Sequence, residues 1–141
     1  MKVAEFVIPG APRGKERPRV ERNRYTGKVI ARTPDKTVAY EELVRYQYKK
    51  LFPVFDGAVK MEILALYEIP KSTSKKNATL MAKGIIKPTK KPDCDNIVKI
   101  ICDALNYIAY KDDSQVTDVC VTKRYITEGE QPCVKVRITE V

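Results

Sequence analysis

The 141-residue chain contains no histidine. That absence excludes Ser-His-Asp and Cys-His nucleophilic systems, His-ligated zinc, and every hydrolytic mechanism in which imidazole is the general base. Any catalysis must run on carboxylates, lysine, arginine, tyrosine or metal-activated water. Cysteine is sparse and poorly spaced for metal: Cys94, Cys102, Cys120 and Cys133 form no C-x-x-C pair, which argues against a zinc knuckle or a thioredoxin-like motif. They read as reduced thiols of a cytoplasmic protein, with Cys102 buried on a helix. No apolar run approaches the roughly 20 residues of a membrane span. The opening MKVAEFVIPGAP is broken by Pro9 and Gly10 too early for a signal peptide. A soluble protein with no membrane partner is expected. With no repeat, low-complexity tract or linker, residues 1–141 are expected to form one domain.

What the chain has in abundance is positive charge. Lysine and arginine number 27 against 18 acids, a net charge of +9, which favours nucleic acid or another anionic surface as partner. The charge is unevenly placed. From Arg13 to Lys36 nine basic residues face three acids, and from Lys71 to Lys91 there are seven lysines and no acid. Asp93, Asp95, Asp103, Asp112 and Asp113 then follow within twenty-one positions. A tight group of carboxylates repels a polyanion unless a cation lies between them, so the pattern suggests metal-dependent chemistry on nucleic-acid phosphate.

Local patterns place these charges on elements. Val3 to Ile8 reads as a strand stopped by PGAP. The basic segment 13–32 is cut by Gly14, Pro18 and Thr26-Gly27, so a loop or a loop leading into a short hairpin is expected. Thr33-Pro34-Asp35 is a helix-start signal. The helix should run to about Phe52, burying Tyr40, Leu43, Val44, Gln47 and Leu51, with Tyr46 and Tyr48 in helix packing. Val59 to Ile69 alternates as a strand, with Val59, Met61, Ile63 and Ala65 on one face. Ser72 to Lys83 suggests a short helix ending at Gly84, and Ile85 to Pro92 a lysine-rich approach loop. A second strong helix runs from Asp93–Asp95 to about Asn106, burying Ile97, Ile100, Ile101, Ala104 and Leu105. Val116 to Thr127 and Cys133 to Thr139 read as a β-hairpin around Glu128-Gly129-Glu130. The expected class is α+β: a mixed sheet packed with two main helices.

Within the second helix, steps of four put Asp95, Lys99 and Asp103 on one face, with Asp93 at the entrance. One acid at a helix start is ordinarily a cap; two suggest a further role. Lys99 has two readings, an i,i+4 partner for Asp95 or a cation that offsets charge on a phosphate in transit. Asp112-Asp113 reads as solvated turn acids, or as a loop returning to the helix so that Asp93, Asp95 and Asp113 converge as hard oxygen ligands for Mg²⁺ or Mn²⁺.

The strings D-C-D-N-I-V-K, D-A-L-N and K-D-D-S-Q-V between Lys91 and Val116 resemble the signature of the RusA family of Holliday-junction resolvases. G-K-E-R-P-R at Gly14 to Arg19 and T-P-D-K-T-V-A-Y at the first helix start resemble the wider family. The resemblance implies an α+β fold, a homodimer and Mg²⁺-dependent cleavage of branched DNA at four-way junctions. It implies that Asp93, Asp95 and Asp113 are the catalytic and metal-binding acids, Asp112 an auxiliary metal ligand and Lys99 the catalytic lysine, and that Asp103 is mainly structural. Cys94 stands where an aliphatic residue is common in the family. Arg13, Lys15, Arg17, Arg19, Lys75, Lys76, Lys90 and Lys91 are the candidates for DNA-backbone contacts, which position DNA without reading bases. Two other readings stand beside this one. A different DxD-dependent phosphoryl or nucleotidyl transferase lacks support from any glycine-rich nucleotide loop. A non-catalytic basic DNA-binding protein would use the same aspartates as caps and turn residues.

Overall fold

The computed structural model describes residues 1–49 and 54–141. β1 (Val3–Pro9) leads through a loop to a separate two-stranded ribbon, β2 (Arg19–Arg22) and β3 (Val29–Arg32), and then to helix α1 (Asp35–Lys49). β4 (Val59–Tyr67), α2 (Lys75–Ala82) and α3 (Cys94–Leu105) follow. A 3-10 turn at Asp113–Gln115 introduces β5 (Val116–Tyr125), and β6 (Cys133–Glu140) ends the chain. The fold is α+β, as expected, with the loop and hairpin of the basic segment and the short α2 both present. The expected end of the first helix at Phe52 and its buried Leu51 lie outside the described residues.

Four strands form one mixed sheet in the order β1-β6-β4-β5. Alternation writes its two faces. In β1, Ala4, Phe6 and Ile8 are buried, and in β6, Val134, Val136 and Ile138. Pairing sets Phe6 beside Val136, and Val136 beside Ile63 of β4, so these residues share the face that α1 and α3 cover. The other face carries Glu5, Lys135 and Arg137. α3 buries Ile97, Ile100, Ile101, Ala104 and Leu105, the expected stripe. Each of its larger apolar side chains contributes roughly 1.5–3 kcal/mol by leaving water. α1 buries Thr37, Tyr40, Glu41, Val44 and Tyr48. Tyr48 meets Phe6 edge to face at 5.4 Å between centroids. Leu43 packs only partly buried against the core, and Tyr46 is exposed.

One expectation is corrected. β5 and β6 are not a hairpin, because β4 lies between them, antiparallel to β6 and parallel to β5. The physical reason is burial. β4 carries the longest run of buried strand residues, including Val59, Met61, Ile63 and Ala65 on the expected face, and a central place pairs both of its edges. The connection from β5 to β6 must therefore cross two strand spacings, about 10 Å. It is braced for that span: Arg124 makes a two-pronged ion pair with Glu130 at 2.8 and 2.9 Å, and Ile126 N donates to Tyr67 O at 2.9 Å. Gly129 takes a positive φ of 82° in the same connection.

Candidate active site

α3 begins at Asp93, which has the extended backbone of an N-cap (φ −73°, ψ 155°) but makes no side-chain cap hydrogen bond. Its backbone oxygen accepts from Ile97 N at 3.1 Å, so the helix is closed by the main chain and the carboxylate is left over. Asp95, two residues on, is exposed in the first turn. The positive end of the helix dipole lowers the cost of holding two carboxylates this close. Lys99 is also exposed. Among the described residues it forms no ion pair with Asp95 or Asp103, so the mundane i,i+4 reading of Lys99 is not realised.

The two carboxylates open onto a cleft of about 730 Å³. Its other walls are loop 12–17, the start of α1 at Lys36 and Thr37, and Lys91-Pro92. Arg13, Lys15, Arg17, Lys36 and Lys91 all line it, so an acidic pair sits inside a ring of cations.

Loop 12–17 is fastened to α3 at the closest possible range. A Cβ on Gly14 would stand 2.9 Å from the Cβ atoms of both Asn96 and Pro92, so glycine is required there by close approach. Lys15 N donates to Asn96 O at 2.9 Å. The Lys15 ammonium lies 2.9 Å from Glu41 Oε1 of α1 and 3.4 Å from Asp103 Oδ2 of α3. Burial lowers its pKa, but Glu41 and Asp103 outweigh that and raise it above the ordinary lysine value. Lys15 is thus a bracket tying the loop to two helices rather than a free cation for DNA. Asp103 has the structural role expected of it.

The far side is held by aromatic rings. Tyr67 OH, at the end of β4, donates to Pro92 O at 2.9 Å, directly before Asp93. Burial, then Cys94 and Asp93 nearby, push the Tyr67 phenol up to about 12. Lys123 of β5 lies 5.2 Å from the Tyr67 ring centre and donates to Lys90 O at 2.6 Å. Lys90 in turn lies 5.7 Å from the Tyr125 ring centre. The Lys91–Pro92 peptide between these anchors is cis.

The second acidic pair is placed differently. Asp112 caps the 3-10 turn: its Oδ2 accepts from Ser114 N at 3.1 Å, and Gln115 Oε1 accepts in return from Asp112 N at 3.2 Å. Hydrogen bonding to Ser114 lowers the Asp112 carboxyl pKa. Gln115 also donates to Phe55 O and Gly57 O, at 3.0 and 2.9 Å. Asp112 is therefore engaged as a turn residue through one of its two carboxylate oxygens. Asp113 is half-buried beside Cys102 and Tyr110, whose groups it helps push up in pKa after the larger effect of burial. It does not line the cleft. Among the described residues no group of three or more His, Cys, Asp or Glu side chains is placed to hold a metal, so the expected convergence of Asp93, Asp95 and Asp113 is not present within one chain.

Of the expected DNA contacts, Arg13, Arg17 and Lys91 line the cleft and Arg19 opens the ribbon. Lys75 and Lys76 start α2, outside the cleft, as is Lys90. Sequence reasoning missed Lys36 and Glu41. Lys36 lies in the first turn of α1, where the dipole disfavours a cation, and yet lines the cleft. Glu41 falls on the buried stripe of Thr37, Val44 and Tyr48, where a charge must find a partner.

The donor set suits a hard divalent cation. Mg²⁺ needs only one or two carboxylates when water and substrate phosphate complete its shell, and the Asp93 and Asp95 carboxylates make no hydrogen bond or ion pair among the described residues.

The family model for endodeoxyribonuclease RusA matches residues 9–139, nearly the whole chain. The chain belongs to the RusA family. It is also 40% identical over 146 residues to the uncharacterized protein YqaN of Bacillus subtilis (strain 168), covering 100% of this chain and 99% of that one. RusA membership makes DNA the substrate and phosphodiester cleavage the reaction class, and the Asp93–Asp95 cleft lies within the matched span. Among the described residues no helix is long and apolar enough to cross a membrane.

Proposed function

We propose that this protein is a Mg²⁺-dependent, structure-selective endodeoxyribonuclease that resolves four-way DNA junctions by paired phosphodiester hydrolysis, working as a homodimer in recombination and repair. The observation that carries the reading is a carboxylate pair, free of protein partners among the described residues, inside a cation-lined cleft of a RusA-family chain.

The residues divide the work as follows. Arg13, Arg17, Lys36 and Lys91 bind the DNA backbone and draw a phosphate against the mouth of α3. Asp93 and Asp95 would hold Mg²⁺, or Mn²⁺ in its place, and the chemistry it supplies when bound is charge neutralisation at the phosphate and acidification of water. Lys99, one turn along the same face, offsets the negative charge that grows on the phosphate in transit. Asp113, which stands outside the cleft wall, would have to approach Asp93 and Asp95 to act as a third acid. A dimer presents two clefts, so that two strands of one junction are cut in a single encounter.

The test is cleavage of a synthetic four-way junction in Mg²⁺, with linear duplex and flap DNA as controls. Symmetric nicks confined to the junction support the proposal. Binding without cleavage in either Mg²⁺ or Mn²⁺ sinks it and favours a binding protein. Nucleotide incorporation without nicking favours a transferase.

A further inference from the structure

The β2–β3 ribbon is separate from the four-stranded sheet, and its strands do not line the cleft. None of its eight strand residues is buried. Its register puts Val20, Arg22, Val29 and Ala31 on one face, with Val20 71% and Val29 64% exposed. A two-stranded ribbon is marginal on its own and its apolar side chains face water, so a partner laid along it would stabilise it. Yet its tip is tightly built. Asn23 Oδ1 accepts from Tyr25 N at 2.8 Å and Thr26 N at 3.1 Å, and Asn23 N donates to Lys28 O at 2.8 Å. This ordered turn holds Tyr25 with 94% of its surface in solvent.

We propose that the ribbon recognises the branch point of the DNA, Tyr25 stacking on a base that is unpaired or splayed there; this rests on the junction-endonuclease reading. Charge selects nucleic acid as the occupant: from Arg19 to Arg32 there are five basic residues (Arg19, Arg22, Arg24, Lys28, Arg32) and one acid, Glu21. Position selects the same substrate as the cleft, since the ribbon leaves the cleft wall at Arg17 and returns to it at Lys36. The four strand residues Arg19 to Arg22, at about 3.3 Å each, carry the turn roughly 13 Å out, or about four nucleotides along a strand. In continuous duplex both faces of every base are covered by neighbours. At a branch a base face is open, and an aromatic ring takes any base without reading sequence. The ring therefore rewards branched DNA and gives nothing to linear duplex.

The test places 2-aminopurine at the branch of a four-way junction and measures fluorescence change and affinity in EDTA, beside a linear duplex, for wild type, Tyr25→Ala and Tyr25→Trp. Tyr25→Ala should lose the fluorescence response and roughly tenfold in junction affinity, with duplex affinity unchanged and Tyr25→Trp close to wild type. Tyr25 is exposed, so the fold is not at stake. If wild type prefers the junction and Tyr25→Ala keeps both preference and signal, or weakens junction and duplex equally, the inference is overturned and the endonuclease reading stands. If wild type shows no preference for the junction, that reading falls and takes the inference with it.

Discussion

Two helical starts in this protein carry an aspartate at the same position. At the 3-10 turn before β5, Asp112 has ψ 146° and completes a reciprocal capping box with Gln115. At the start of α3, Asp93 has ψ 155° and caps nothing. Both backbones are extended and the residue type is the same, but φ is −73° at Asp93 and −151° at Asp112, and only at Asp112 does the carboxylate turn back onto its own helix start. Forgoing a cap costs a helix about 1 kcal/mol, and α3 forgoes it facing a cleft lined with cations. An acid whose hydrogen-bonding capacity is filled by its own turn supports the fold, whereas an acid left unfilled beside positive charge is available to a ligand.

The largest expected effect breaks this contrast directly. Asp95→Asn should reduce Mg²⁺-dependent junction cleavage by at least about a thousandfold while junction binding in EDTA persists. Asp112→Ala should lower the melting temperature yet leave cleavage standing. A comparable loss of cleavage in both variants would erase the distinction between filled and unfilled acids. Lys99→Met should follow, with cleavage down about a hundredfold and affinity little changed, measured by single-turnover rates.

The bracket sharpens the comparison among cations. Lys15→Met leaves Glu41 without its partner and should cost about 1–2 kcal/mol in urea unfolding, less than a fully buried pair because the ammonium keeps some solvent contact. Arg17→Ala should instead leave stability alone and reduce the slope of log affinity against log salt by about one. Equal salt slopes for the two variants would show that Lys15 contacts DNA after all.

The smallest effect concerns the β5–β6 connection. Hydrogen bonds from Arg124, then from the Thr127 backbone and hydroxyl, hold the Glu130 carboxyl far below the usual range. A depressed carboxylate stabilises the fold above its unfolded value, near pH 4.3, and that contribution fades as pH falls towards the folded value. Glu130→Gln should therefore be less stable than wild type at pH 7, by about 1 kcal/mol for a pair that solvent still partly screens, with the gap shrinking at pH 3. Urea melts at the two pH values decide it.

What the sequence made legible was local. The α3 stripe from Ile97 to Leu105 follows from three-four spacing alone, and so does the face shared by Asp95, Lys99 and Asp103. The misjudged hairpin shows the limit: β5 and β6 each read correctly as strands, but which strand neighbours them depends on β4, more than fifty residues before β5. Lys15 is indistinguishable in sequence from the free cations because its partners, Glu41 and Asp103, come from two other elements. Asp93 and Asp112 could not be told apart as caps, since side-chain aim leaves no mark in residue order.

The Lys15 amide bound to Asn96 O joins the beginning of the chain to its last third. Contacts so distant in sequence close late in folding and can open without the core. The exchange rate of that one amide hydrogen is therefore a gauge of cleft assembly, readable by NMR apart from global stability, and substrate that grips both walls should slow it.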